Sequence, residues 1–107
     1  MRASINLEVS VIPEGAGLDT IQVYWFDVAP NQGHVTITCW GCAWTCYFGG
    51  MSASTICEFF AGCDRHYLTT KLGITQHLKQ RKIDHGYLGR IIDRIHAHLA
   101  TEKEQAA

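Results

Sequence analysis

Val35-Thr36-Ile37-Thr38-Cys39-Trp40-Gly41-Cys42-Ala43-Trp44-Thr45-Cys46-Tyr47-Phe48 is the stretch that decides the fold. Val35, Ile37 and Cys39 place their apolar side on odd numbers, whereas Trp44, Cys46 and Phe48 place it on even ones. A straight strand cannot change phase, because a one-residue slip moves every side chain to the other face. A two-residue turn at Gly41-Cys42 removes the conflict, with Gly first as a type II′ turn requires. It pairs Cys39 with Trp44, Ile37 with Cys46 and Val35 with Phe48. One face of the hairpin is then wholly apolar, and the other carries Thr36, Thr38, Trp40, Ala43, Thr45 and Tyr47.

Upstream, Ile5, Leu7, Val9 and Val11 alternate with Asn6, Glu8 and Ser10, the period of a half-buried strand with the aliphatic row inward. Pro13 to Gly17 reads as a turn. Thr20 to Val28 reads as a second strand, central because both of its faces are apolar. Pro30 to Gly33 is a loop. Downstream of Gly49-Gly50, Thr55-x-x-Glu58 is a capping box leading into Ile56, Phe59, Phe60 and Cys63 at helical spacing. Asp64 caps a second helix that stops at Leu72-Gly73, and a weaker helical turn covers Thr75 to Gln80. Asp84 caps a last helix with the stripe Leu88, Ile91, Ile92, Ile95 and Leu99, stapled by Ile83 and Leu88. The expected fold is α+β: a four-stranded antiparallel sheet, an N-terminal meander, packed by three to four C-terminal helices. Residues 1–100 form one domain, and 101–107 form a frayed polar tail.

The chain has 107 residues, 47% of them apolar and 18% charged, which is enough for a real core and not a disordered composition. Glu8 interrupts the N-terminal stretch before a signal-peptide core forms, and no apolar run spans a bilayer. The expected location is therefore the cytoplasm, with no membrane partner. Five cysteines, an odd number, are expected to be reduced thiols there. The net charge of −1 hides a split. Residues 1–64 carry Arg2 against Glu8, Glu14, Asp19, Asp27, Glu58 and Asp64. Residues 65–99 carry Arg65, Lys71, Lys79, Arg81, Lys82, Arg90 and Arg94 against Asp84 and Asp93. Such a dipole steers charged partners, although helices expose Lys and Arg as a matter of course.

Cys39-x-x-Cys42-x-x-x-Cys46 has the short thiol spacing of a zinc or iron–sulfur site, with Cys57, Cys63 or His66 as the source of a fourth ligand. In the hairpin, however, Cys39 and Cys46 become diagonal neighbours on the buried face while Cys42 sits in the turn, so no metal ligands are assigned and no cofactor is expected. Cys63-x-x-His66 straddles the break at Asp64. His96 and His98, two apart, do not share a helix face. No local motif marks a nucleophilic Cys–His pair, so no catalytic residues are assigned and an enzyme is the least supported class. Two candidate interfaces remain. Tyr24, Trp40 and Tyr47 lie on the sheet face away from the hairpin's apolar side, and exposed aromatics favour protein contacts. Lys79, Arg81, Lys82 and His85 form the densest basic cluster, suited to phosphates but without interleaved aromatics.

The segment Leu18 to Leu72 resembles a family of small, largely uncharacterised accessory proteins of tailed phages and prophages. The resemblance is carried by Asp27-Val28-Ala29-Pro30-Asn31-Gln32-Gly33, Val35-Thr36-Ile37-Thr38-Cys39-Trp40-Gly41, Ala43-Trp44, Gly49-Gly50-Met51, Phe59-Phe60 and Tyr67-Leu68. Residues 74–107 fall outside it. The resemblance implies a non-enzymatic protein that binds a host or phage protein, as an inhibitor of a host defence system such as CRISPR-Cas would, in the host cytoplasm. Alternatives from the residues are a nucleic-acid-binding module using the basic helices and a small structural zinc domain. A homodimer through the aromatic sheet face is a further way of covering it.

Overall fold

In the computed structural model, residues 6–52, 54–74 and 82–106 are described, with backbone alone at 6, 74, 82–85 and 106. Strands β1 (Asn6–Ile12), β2 (Ile21–Ala29), β3 (Gln32–Cys39) and β4 (Cys42–Phe48) precede helices α1 (Ile56–Gly62), α2 (Arg65–Ile74) and α3 (Lys82–Ala106). The sheet is an antiparallel meander in the order β1-β2-β3-β4. The expected α+β architecture is therefore the observed one.

All three helices cover one face of the sheet. That face presents Ile21, Val23 and Trp25 from β2, Val35, Ile37 and Cys39 from β3, and Trp44, Cys46 and Phe48 from β4, all buried. The helices supply Ile56, Phe60, Leu68, Leu72 and the stripe Leu88, Ile91, Ile92, Ile95 and Leu99. Phe60 meets Trp25 edge-on, with ring centres 5.2 Å apart. Gly33 is confined by this packing, since a Cβ there would stand 2.8 Å from the Cβ of Ile56.

The hairpin has the expected faces but a different turn. Its central residues are Trp40 and Gly41, at φ +49° and +75°, with Cys39 opposite Cys42, Ile37 opposite Trp44 and Val35 opposite Cys46. Two successive positive φ values describe a type I′ turn, whose twist matches that of the strands. Moving the turn by one residue shifts each partner by two, so the buried face survives unchanged. Cys39 and Cys46 are then not diagonal neighbours, because the Ile37–Trp44 pair lies between them.

β1 faces the opposite way from the expectation. Leu7, Val9 and Val11 are 47%, 50% and 55% exposed, while Ile12 is buried and Ser10 half-buried. The register with β2 is the reason: Val9 lies opposite Tyr24 and Ser10 opposite Val23. The inward choice also gives the indole N–H of Trp25 an acceptor, donating to Ser10 Oγ at 2.9 Å. A buried indole left without one would carry a desolvation cost of about 1–3 kcal/mol.

The helix starts follow their caps. Thr55 and Glu58 form the capping box of α1, and Asp27 Oδ1 accepts from the Ile56 N–H at 2.7 Å. Asp64 Oδ1 accepts from the Tyr67 N–H at 2.7 Å, while α2 runs through Gly73 to Ile74. Asp84 is not a cap, because α3 already begins at Lys82. An acidic residue in a first turn is equally favoured by the helix dipole, so the sequence signal marks the neighbourhood and not the boundary. From Thr101 the chain continues the same helix to Ala106, its described side chains exposed. The helical turn expected over residues 75–80 lies outside the described residues.

Candidate protein-docking face

The sheet face away from the helices carries three rows across the strands, read from the registers. Leu7, Phe26, His34 and Tyr47 form one row, Val9, Tyr24, Thr36 and Thr45 the next, and Val11, Gln22, Thr38 and Ala43 the last. The β1–β2 side is aliphatic and aromatic, extended by exposed Val28. The β3–β4 side, with Gln22 of β2 beside it, is polar: Thr36 and Thr45 share a hydrogen bond of 3.0 Å, and Gln22 Oε1 accepts from Thr38 and Tyr24 at 3.1 and 3.2 Å. Tyr47, half exposed, bridges the two at the top row by packing on His34, ring centres 4.9 Å apart. β1 is an edge strand, so its outer backbone groups face away from the sheet.

Of the aromatics singled out in the sequence, Tyr24 and Tyr47 belong to this face. Trp40 does not. It projects from the hairpin tip, 76% exposed, beside a hollow of about 580 Å³ lined by Glu14, Gly15, Gly17, Leu18, Asp19 and Trp40. Leu7, Val9, Val11, Phe26 and Val28 escaped the sequence reading. The available signal was the two-faced apolar pattern of β2, which requires apolar neighbours on both sides.

The basic cluster falls largely outside the described side chains. Lys79 and Arg81 lie outside the described residues, and Lys82 and His85 are placed only as backbone in the first turns of α3. Three other cations of the helical half serve the fold. Arg65 pairs with Asp93 at 3.2 Å. Arg90 donates to the Ala16 carbonyl at 2.9 Å, and Arg94 to the Pro13 carbonyl at 2.7 Å. Both guanidinium groups lie against the glycines of the β1–β2 turn, 3.0 Å from a Cβ built on Gly17 and 3.1 Å from one built on Gly15. Lys71 sits over the Tyr67 ring at 5.7 Å.

Among the described residues, no three His, Cys, Asp or Glu side chains converge as a metal-holding group. Burial pushes the Cys57 thiol up to about 11, with Glu102 and Glu8 adding to the shift. Burial also raises Cys63, helped by Asp64, and raises Cys46 against the opposing pull of Lys71. Thiols held protonated in this way are poor nucleophiles. His96 Nε2 lies 3.1 Å from the Phe60 carbonyl, and His98 is 2.8 Å from Glu102. Both histidines are occupied within the helical layer.

The model of a phage family, Phage_phiTE_072, matches residues 5–106. The chain belongs to this phage family. The match takes in the helical half as well as the sheet, so residues 74–106 are part of the family's domain and not an addition peculiar to this chain. No curated protein and no solved structure matches it. Among the described residues, no helix of this phage protein is long and apolar enough to cross a membrane.

Proposed function

We propose that this phage protein is a non-enzymatic accessory protein that binds another protein through the open face of its sheet. One observation carries the reading: a row of half-exposed aliphatic side chains, Leu7, Val9 and Val11, adjoins Tyr24, Phe26 and Val28 on a face that none of the described helices covers. Contiguous apolar area of this kind is uncommon on a protein that works alone. Tyrosines at its centre and rim give large contact area for little lost conformational freedom. The polar ladder of Thr36, Thr45, Gln22 and Thr38 bounds it as an interface rim. Inhibition of a host defence complex, a CRISPR effector among them, is the form of binding proposed for it in the host cytoplasm. The arginines spent on the fold at Arg65, Arg90 and Arg94 leave the nucleic-acid alternative with less support.

Affinity capture from infected host cells tests the face. Tyr24→Ala with Tyr47→Ala should lower recovery of the partner about tenfold or more, the effect of losing about 1.4 kcal/mol or more of binding. Recovery of every partner unchanged by the double variant removes the face from consideration. For the defence-inhibitor form, expression of the wild-type protein should restore plaque formation by a targeted phage on a host armed with CRISPR immunity, and an unchanged plaque count overturns that form.

A further inference from the structure

Cys39-Trp40-Gly41-Cys42 closes the hairpin, and its two cysteines are the last opposed pair of β3 and β4. Opposed residues project to the same side of a sheet, here the helix-covered side. The pair that closes a two-residue turn is a hydrogen-bonded one, with Cα atoms about 5.5 Å apart. A disulfide spans Cα separations of about 4.4–6.8 Å, with its commonest value close to that figure. Its Cβ atoms need about 3.5–4.5 Å, against the upper end of the range of about 4.5–5.5 Å for a hydrogen-bonded opposed pair. Bonding therefore requires the tip to tighten by roughly 1–2 Å. At the free end of a hairpin that movement is available, and the strain it leaves makes the bond readily reduced.

The two thiols differ in access. Cys39 is 2% exposed, and Cys42 lies open to solvent. An accessible thiol beside a sheltered partner that can resolve it is the arrangement redox-sensing cysteines use. Cys46, Cys57 and Cys63 stand elsewhere, on β4, on α1 and at the α1–α2 junction.

We propose that Cys39 and Cys42 form a reversible dithiol–disulfide couple, a modification site at the hairpin tip whose co-reactant is a small disulfide such as oxidised glutathione. The Cys42 thiolate attacks one sulfur of that disulfide, forming a mixed disulfide and expelling one thiolate, which takes up the proton Cys42 gave up. Cys39, as thiolate, then attacks Cys42 Sγ, forming the internal bond and expelling the second thiolate, which takes up the proton from Cys39. Two electrons pass from the pair to the external disulfide, which leaves as two thiols. The change reaches α3, because Cys39 Sγ lies 3.3 Å from the Tyr87 hydroxyl and 3.6 Å from the Asp19 carbonyl. Turning that sulfur toward Cys42 releases Tyr87, which packs on Trp44 with ring centres 6.1 Å apart. The couple does not depend on the docking face.

The test equilibrates the full chain in glutathione buffers running from reduced to oxidised, quenches with acid, labels denatured protein with N-ethylmaleimide and reads intact and peptide masses. The reduced chain should take five labels, one for each cysteine. The oxidised chain should lose two labels and gain a cross-link mapped to the Cys39–Cys42 peptide, reversed by excess reduced glutathione. Cys42→Ser, at an exposed position, should keep all its remaining thiols in every buffer. Five labels throughout, a persistent glutathione adduct on Cys42, or a cross-link between any other cysteines overturns the proposal.

Discussion

Trp40 holds a left-handed backbone angle, φ +49°, with most of its side chain in solvent. A large side chain in that region costs on the order of 1–2 kcal/mol, and Asn or Gly is the usual occupant of the first central position of a type I′ turn. The exposed ring has little burial to offset this strain. Trp40→Asn should therefore stabilise the protein by about 1 kcal/mol, seen as a higher urea midpoint at unchanged slope. A lower midpoint would mean that the ring's contacts along the Glu14–Asp19 hollow outweigh the strain. A residue kept in a conformation that opposes stability points toward a role outside folding, which is why the tip merits a binding assay of its own.

Helix α1 shows a cap acting through a charge. The Glu58 carboxyl is held below its ordinary range chiefly by its hydrogen bond from the Thr55 hydroxyl, then by the Thr55 backbone N–H. A depressed folded value means that the carboxylate contributes stability above the ordinary glutamate range, and that this contribution is lost as pH falls through the folded value. Stability followed from neutral pH into the acid range should show this loss in the wild type, and Glu58→Gln should flatten that part of the curve. An identical acid limb in both proteins would remove Glu58 as its source. This cap was legible in the sequence because Thr55-x-x-Glu58 is a local device, complete within four residues. The hairpin was legible only in part. Alternation of apolar residues assigns faces, but it is blind to a shift of two in register, so Gly41-Cys42 and Trp40-Gly41 satisfied it equally. β1 failed for a related reason: its aliphatic row matched either face of β2, and the choice lay in a long-range bond, Trp25 to Ser10, that no local pattern announces. The candidate face inherited that error, since the sequence supplied Tyr24 and Tyr47 but hid the aliphatic row beside them.

On the scale of the whole molecule, the acidic sheet half and basic helical half are joined by Arg90 and Arg94 reaching the carbonyls of the β1–β2 turn. These two basic side chains thus tie the helical layer to the sheet through neutral carbonyls, and the apolar row of β1 stands on the opposite face of the sheet. A row belonging to the core and a row reserved for a partner respond differently to the same substitution. Leu7→Thr, Val9→Thr and Val11→Thr made together leave β-branched, strand-favouring side chains at all three positions while removing apolar character. Full burial of such side chains is worth about 1.5–3 kcal/mol each, and these three are only about half-buried, so the triple variant should lose no more than about 2–4 kcal/mol in all. Its capture of the partner should fall at least as far as that of the tyrosine variant, because the substituted row supplies the exposed aliphatic area of the face. Sedimentation of the wild type and the triple variant separates the two sources of cover. A wild-type dimer that the variant turns into monomers places a second copy on the face, whereas monomers in both cases leave it to a different protein. A loss above about 5 kcal/mol in the triple variant, the range of full burial, would show instead that the row belongs to the folded core, and the docking reading would then lose its main support.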